Sequence, residues 1–477
     1  MKKIAIIGGG AAGLAAAIAA GNELARLGAA DECEIVLFEA DPERVGRSIL
    51  ATGNGRCNFS NAHIDPACYR NADFVEAALR SLARLSEASE WGSVQPVGAY
   101  GVSAQGSAQP AGAFEAPGRE SAQPAGAFEA PGRESTQSAS VFEAPVQRFF
   151  SSLGLMWREE GEGRMYPAAN KASSVLDVLR AALDVSGARV EFGKALCAIE
   201  APARGKSRFH LRFSDGSIAH AEKVVLAVGG RGVSAVDTSS VIPCELTRPV
   251  LGPLATDSRI TRQLNNIRVK CAVSLERSGS LVAREEGELL FRDYGVSGVC
   301  VFNLSRFACE GDVLSIDFLP HMPAADRDAW LFARRKHLSA RLGENGQIAA
   351  EDVLRGAMLP QVAQVLCKCA GIDPARPLSK KDVLALSRVI GGLRLTVRGI
   401  GDAKQCQVSR GGLSIAAFDP QTMGAMRASG LFAAGEALDV DAPCGGYNLH
   451  WAWSSGLLAG VSAARSAVSA DGEGEGE

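Results

Sequence analysis

Gly8, Gly10 and Gly13 fall in G-x-G-x-x-G spacing, and Glu39 follows them. Each residue type has a task in holding a dinucleotide. The first glycine lets the chain turn sharply out of a strand. The second lets backbone approach a pyrophosphate, and the third lets the following helix pack closely on the strand. The next amides, on Ala11 and Ala12, open that helix and face the phosphates. An acid about 20 residues further on binds a ribose hydroxyl pair. Glu39 stands somewhat further along, and the turn at 28–32 absorbs the extra length. Glu39 argues against a 2′-phosphate, and the motif alone suits FAD and NAD equally.

These residues require a strand over Ile4–Ile7, a small-residue helix from Ala11 to about Leu27 and a second strand over Glu34–Glu39. That is the start of a parallel, doubly wound α/β sheet. Further candidates lie in a polar, glycine-rich loop at 46–61, which follows the ribose acid at the carboxyl ends of the strands, where open α/β sheets bind ligands. Arg47 and Arg56 there can hold a diphosphate, a ring edge or an anionic substrate. A second strand runs into a glycine turn at Gly229-Gly230. A third strand-to-glycine turn, Gly430-Leu-Phe-Ala-Ala-Gly-Glu436, feeds a loop and a long helix from about Tyr447. Nucleotide-binding elements therefore stand at both ends of the chain, which suits FAD better than NAD. The first unit takes the ADP half, Glu436 hydrogen-bonds the ribityl chain, and the positive end of the 447–463 helix faces the flavin. Gly445 and Gly446 open that helix end to close approach by a ligand.

The intervening chain divides by pattern. Residues 73–91 read as an amphipathic helix with Phe74, Ala77, Ala78, Leu82 and Leu85 on one face. The 14-residue stretch Ser107–Glu120 then repeats identically as 121–134, with a degenerate third copy through Pro145. Its Ala, Gly, Pro and Ser content cannot bury a core, so 95–145 reads as a disordered insertion. The resulting plan is an N-terminal part of an FAD domain over 1–240, a β-barrel-like insertion over 241–325 and a helical segment over 326–390. A C-terminal part of the FAD domain spans 391–465, and a disordered acidic tail spans 466–477. Within the helical segment, 327–342 and 349–369 read as helices. Ser379 and Asp382 read as the N-cap and third residue of another.

Composition bounds the partners. The chain is 47% hydrophobic and 22% charged, with a net charge of −3, which predicts no affinity for nucleic acid or an anionic membrane. No apolar run reaches the roughly 18 residues that span a bilayer, and the N-terminus enters a strand with no signal pattern, so the expectation is a cytoplasmic enzyme with a small-molecule substrate. Twelve cysteines include no C-x-x-C pair, against a flavin-disulfide reductase, and six scattered histidines give no metal-ligand pattern.

Six stretches carry a resemblance. GGGAAGLAAA (8–17), GRSILATGNGRCNFSN (46–61), GRMYPAANKASSVLDVL (163–179), GELLFRDYGVSG (287–298), VSRGGL (408–413) and GLFAAGEALDVDAPCGGYNLHWAWSSGLLAG (430–460) resemble the HI0933-like family of FAD-dependent oxidoreductases. That family is also described as NAD(P)/FAD-dependent or aminoacetone oxidase-family enzymes. The resemblance covers the chain apart from roughly 95–145 and the tail. It implies a two-dinucleotide-binding-type FAD fold with an inserted β domain and a helical segment. One branch of the family reduces ring C=C bonds of 3-oxo bile-acid intermediates. The chain departs from the family pattern in a shortened segment between Arg231 and Pro243.

Motifs and resemblance together put cofactor contacts on Gly8, Gly10, Ala11, Ala12, Gly13, Glu39, Gly46, Arg47, Thr52, Gly53, Gly55, Arg56, Cys57, Asn58, Leu196, Gly229, Gly230, Gly435, Glu436, Gly446, Tyr447, Asn448 and Leu449. Cys57 reads as a packing thiol, since no resolving cysteine is in reach. His450, Trp451 and Trp453 read as core. No catalytic residue is fixed; Arg56, Tyr447 and Tyr294 are the candidates for polarising a carbonyl or giving a proton. No metal is expected. The reaction expected is hydride transfer from NAD(P)H through FAD to an organic acceptor. The rivals are an O2-using amine oxidase and a flavin-binding protein without turnover.

Overall fold

In the computed structural model, residues 1–88, 139–202, 207–342 and 347–469 are described. A five-stranded parallel sheet organises the chain, in the order 431–433, 223–226, 2–7, 33–38, 189–191. Its strands are near-continuous apolar runs because helices cover both faces. Ile4, Ile6, Val36, Leu37, Val224 and Val225 are all buried. The first helix, Ala11–Arg26, is rich in alanine and glycine, and the last helix, Tyr447–Ser469, lies along it. The chain's two ends thus share one sheet and one core, to which the middle adds the 189–191 and 223–226 strands.

The middle contains a closed, antiparallel, six-stranded barrel: 254–256, 295–297, 280–292, 268–277, 313–317 and 393–400. Its last strand comes from beyond the helical segment, in a stretch that the sequence pattern groups with the FAD domain. The alternation in Leu393–Ile400 marks a half-buried strand but not its sheet, and closure needs that strand between 313–317 and 254–256. Conversely, Cys244–Val250 lies outside the barrel and pairs with Val408–Leu413. The helices 324–342, 360–369 and 380–391 share one apolar core with the barrel, through Leu331, Leu366, Val383 and Leu386.

Two boundaries differ from the sequence reading. Residues 139–145, assigned to a disordered insertion, form the first turns of a helix, Ala139–Ser152. Phe142, Val146, Phe149 and Phe150 recur at helical spacing and are buried, and this apolar face outweighs Pro145 inside the helix. Residues 466–469, assigned to the tail, are the last turn of the 447–469 helix. The remainder of both stretches, 95–138 and 470–477, lies outside the described residues. The expected 349–369 helix is also interrupted. A short turn spans 351–354, Gly356 takes φ +79, and a new helix starts with Pro360 in its first turn. The 380–391 helix has its full capping box, with Ser379 Oγ accepting from Asp382 N and the Asp382 side chain accepting from Ser379 N.

Candidate functional site

The fingerprint loop is shaped by steric exclusion on one side and left open on the other. Gly8 has φ +101, and a Cβ there would lie 2.6 Å from the Ala227 carbonyl oxygen. A Cβ on Gly13 would overlap the Gly8 carbonyl oxygen, so the third glycine sets the approach of helix to strand. Gly10 differs: the nearest atom to its Cβ position is Ser48 Oγ at 3.5 Å. No side chain caps the Ala11–Arg26 helix and its first turn holds no acid. The amides of Ala11, Ala12 and Gly13 therefore face an uncapped, positive helix end able to take a pyrophosphate.

Glu39 closes one end of this surface. Its Oε2 accepts from Gly9 N at 2.6 Å and its Oε1 from Asp41 N at 2.7 Å, which leaves lone pairs for hydroxyl donors. The Gly46 amide donates to Gly9 O, and Lys194 N donates to Glu39 O. The 46–61 loop and the segment leading to Leu196, a buried residue, thus both flank Glu39. Arg47 is exposed and sits 3.3 Å from Asp41.

The other end is built from the C-terminal part. Gly435 (φ +67) rests on Ala12, its amide donating to Ser455 Oγ and its carbonyl accepting from Trp451 Nε1. This holds Glu436 beside the fingerprint helix. Glu436 Oε1 accepts from Ser409 N at 2.6 Å and lies against Gly230, where a Cβ would be 2.6 Å from it. Burial pushes the Glu436 carboxyl up to about 7. Gly229 takes φ +70 in the short turn before Arg231, whose guanidinium reaches Cys406 O. Sequence reasoning missed Ser409, although it lies in the 408–413 stretch that carries the resemblance.

The 52–61 loop meets the start of the last helix. A Cβ on Gly446 would overlap Ser60 O, so this glycine serves chain-on-chain approach rather than a ligand. Asn61 Nδ2 donates to Gly445 O, Ser60 Oγ lies 2.9 Å from His450 Nδ1, and Trp453 Nε1 donates to Phe59 O. Tyr447 donates its hydroxyl to His63 O, and its own carbonyl accepts from Tyr69 OH. Asn448 spends its amide on Ala442, accepting from its N and donating to its O, and so braces the preceding loop. Leu449 packs on the core. Asn58 Oδ1 accepts from Met165 N, and Thr52 Oγ1 donates to Ile49 O. Gly53, Asn54, Gly55 and Cys57 all have positive φ. Cys57 is buried, and burial pushes its thiol up to about 11, as suits a packing role.

The three catalytic candidates are not equally free. Arg56 bonds to Glu160 and Asn170 and stacks 4.0 Å over the Tyr166 ring, so much of its charge is already matched. Burial pushes the Tyr447 phenol upward, so it stays protonated. Tyr294 sits on the barrel hairpin with its ring against Gly401 and its buried hydroxyl unpartnered. No described contact joins Tyr294 to Arg56 or Tyr447. The sequence also gave no sign of a buried ion network behind this site. Asp441 is bonded by Arg306 and Arg410, and Asp439 by Arg70 and Gly411 N. Burial alone would raise Asp441, but Arg410 and Arg306 hold its carboxyl below the usual range.

The profile of the HI0933-like protein Rossmann domain matches residues 133–462, well over half of the sequence. The chain belongs to that family. The family consists of Rossmann-fold flavoprotein oxidoreductases. The match starts at the end of the second repeat copy, and the 8–39 fingerprint joins it through the sheet, where 2–7 lies between 223–226 and 33–38. A 3-dehydro-bile acid delta(4,6)-reductase of Clostridium scindens is 28% identical over 97% of this chain and 99% of its own length. A ribosomal RNA dihydrouridine synthase of Escherichia coli is 24% identical over 94% of this chain and 95% of its own. Among solved structures, a 3-ketosteroid-delta4-(5alpha)-dehydrogenase of Rhodococcus jostii RHA1 aligns at a TM-score of 0.39 and 12% identity over 97% of each chain. The dihydrouridine synthase relatives remove the support for excluding nucleic acid on composition. Among the described residues no helix is long and apolar enough to cross a membrane, and no cluster of metal-binding side chains occurs.

Proposed function

We propose that this chain binds FAD and reduces an activated C=C bond in a hydrophobic, polycyclic enone, with NAD(P)H as the transient reductant. The observation that carries this is the end-to-end similarity to a bile-acid reductase, at 28% identity. The donor set agrees with the cofactor. Gly10 leaves room where a side chain would block a pyrophosphate, the 11–13 amides point to it, and Glu39 and Glu436 stand at its two ends as hydroxyl acceptors. Bound FAD supplies a two-electron hydride carrier at its ring. The protein's own part is then to hold the enone against the bound cofactor, polarise its carbonyl and provide one proton. Of the two phenols among the candidates, Tyr447 already gives its proton to His63 O, whereas the Tyr294 hydroxyl has no partner and is the freer donor. Arg56 contributes field rather than a free donor fork, and Asn448 keeps the loop in place.

The purified protein is yellow on this reading and releases FAD on denaturation. Under anaerobic conditions NADH or NADPH bleaches the flavin, and a bile-acid or steroid enone restores it. If oxygen restores it quickly and every enone leaves it reduced, the enone reading is wrong and an amine oxidase takes its place. A second reading has a specific observation behind it, since dihydrouridine synthases of ribosomal RNA match over nearly the whole chain at 24% identity. Incubating the reduced protein with ribosomal RNA and assaying uridine reduction decides between a free polycyclic enone and a base in RNA.

A further inference from the structure

The barrel and the helices that share its core, residues 254–400, meet the rest of the chain at one place. Among the described residues, every hydrogen bond across that boundary ends on Asn303, Ser305 or Arg306. These residues close a short helix, Val299–Ser305, whose two faces have different partners. Cys300, Val301 and Leu304 enter the barrel core. Phe302, Asn303 and Arg306 repeat that spacing two residues on, about 200° round the helix axis, and so point away from it. Phe302 and Cys444 both pack on Val250, Leu251 and Val408. Asn303 Oδ1 accepts from Cys444 N at 2.9 Å, and its Nδ2 donates to Glu285 Oε2, on the barrel, at 3.0 Å. Arg306 Nε donates to Asp441 Oδ1 at 2.7 Å and its Nη2 to Cys68 O at 3.1 Å. The two chain crossings lie at the same place. Gln407 N donates to Leu251 O and Gly401 N to Pro253 O, and a Cβ on Gly252 would overlap Cys406 Sγ, so 250–253 and 401–408 form a two-chain neck. Ser305 Oγ accepts from Gly252 N at 3.1 Å, which ties the helix end to the neck.

We propose that the neck and this helix end form the joint that carries the barrel, and that Asn303 and Arg306 are positioning residues coupling the barrel to the loop before the last helix. The barrel has an apolar core separate from that of the sheet, so its placement depends on the joint. Asp441 is the lock. Arg306, from the barrel, and Arg410, from the strand after the neck, hold its two oxygens, and Arg410 also donates to Arg306 O. Two residues earlier, Asp439 is held by Arg70 and Gly411 N. The 439–444 loop thus answers at once to the barrel, the 408–413 strand and the chain before the 72–88 helix. A tilt of the barrel moves the Cys444 backbone through Asn303, and Cys444 is three residues from the start of the last helix. The joint itself rests only on contacts within the chain. Its effect on an acceptor rests on the FAD and enone reading above. On that reading the barrel sets how closely an acceptor approaches the cofactor, and Asn303 acts through Cys444.

Hydrogen exchange read by mass spectrometry tests the joint without any substrate. Asn303→Ala deletes the bonds to Cys444 N and Glu285 and should speed amide exchange about fivefold across 250–253, 401–408 and 443–446, with the barrel strands 268–277 and 313–317 exchanging as in wild type. Arg306→Lys keeps the charge beside Asp441 but loses the planar fork, and should open the same segments. Asn303→Asp combined with Glu285→Gln swaps donor and acceptor, keeps an acceptor for Cys444 N and should restore wild-type exchange. Exchange that stays at the wild-type rate in the joint of Asn303→Ala, or rises equally in the barrel strands, overturns the proposal. With an enone that reoxidises the flavin, Asn303→Ala should raise its KM about fivefold while NAD(P)H bleaches the flavin at the wild-type rate. Equal slowing of both half-reactions refutes the positioning role. If no enone reoxidises the wild-type protein, the enone reading fails, and the exchange results alone still decide the joint.

Discussion

Replacing Gly10 and Gly13 by alanine in turn separates cofactor binding from folding within four residues. At Gly13 the added Cβ overlaps the Gly8 carbonyl oxygen, a backbone atom held by the Gly8 amide's bond to Phe38 O at 2.8 Å. Strand and helix must separate to admit it, and overpacking of this kind costs about 1–3 kcal/mol or more. At Gly10 the same methyl meets only Ser48 Oγ at 3.5 Å, in a backbone with φ −79 and ψ −164 that any residue adopts. The apoprotein should therefore change by no more than about 0.5–1 kcal/mol, with loss of the glycine N-cap preference offsetting the gain from a stiffer unfolded chain. The methyl nevertheless stands in the space assigned to the pyrophosphate, so FAD affinity should fall by about 100-fold, or about 2.7 kcal/mol. Urea unfolding of the apoproteins and fluorescence titration with FAD give both numbers for each variant. If Gly10→Ala binds FAD as tightly as wild type, the diphosphate does not lie over Gly10. If Gly10→Ala is as unstable as Gly13→Ala, the space above Gly10 is not open.

Three further outcomes follow from the geometry. Glu143 is buried and raised from 4.5 to about 7, so its contribution is complete below pH 4.5 and lost as pH climbs through 7, a change of about 3 kcal/mol. Glu143→Gln should remove that decline, whereas His450, lowered from 6.5 to about 3, should still weaken the fold as pH falls from 6.5 towards 3; identical profiles in variant and wild type count against this burial. Asp441→Asn strips the charge between Arg306 and Arg410 in a fully buried site and should cost about 3–5 kcal/mol in urea unfolding; a loss below about 1 kcal/mol contradicts the network. Deleting 95–138 across a short Gly/Ser linker should leave FAD binding unchanged. Extending the deletion to 145 removes buried Phe142 and Glu143 and should lower solubility and flavin content; equal behaviour of the two deletions refutes the boundary at 139.

The sheet and the uncapped helix end after its first strand were legible because their signals are local. A short apolar run followed by Gly8, Gly10 and Gly13 specifies a strand, a turn and a helix within a few residues. The capping box at Ser379 and Asp382 is equally local. What stayed hidden depends on partners distant in sequence. Leu393–Ile400 alternates like any half-buried strand, and only the open barrel edges at 254–256 and 313–317 claim it. The helical face Phe142-Val146-Phe149-Phe150 was masked by Pro145 and by continuity with the repeats, since composition dominates a window that periodicity needs to itself. Gly446 could be read as a place for ligand or for backbone, and Ser60 decides for backbone. Asp441 and Glu143 are ordinary surface residues by type, and no spacing announces that 135 positions separate Arg306 from its acid.

A single helix seam explains why so scattered a site can be fixed at all. Cβ atoms at Gly456 and Gly460 would overlap the carbonyl oxygens of Ala12 and Ala16, so the last helix lies backbone-on-backbone along the first. That contact sets the axial register between them. Gly456 is nine residues past Tyr447, so pinning it to Ala12 places the start of the last helix about 14 Å back along its axis. Gly435 sits on the same Ala12 and is tied to Trp451 and Ser455, so Glu436 takes its position from the same seam. From there the start of the last helix dictates where Ser60, Asn61 and His63 can lie, through Gly446, Gly445 and Tyr447. The fingerprint, the buried carboxyl and the 58–63 loop are therefore located by close backbone contacts at glycine together with side-chain hydrogen bonds of Asn61, Tyr447, Trp451 and Ser455. The fingerprint end of the sheet therefore stays where the seam between the first and last helices puts it.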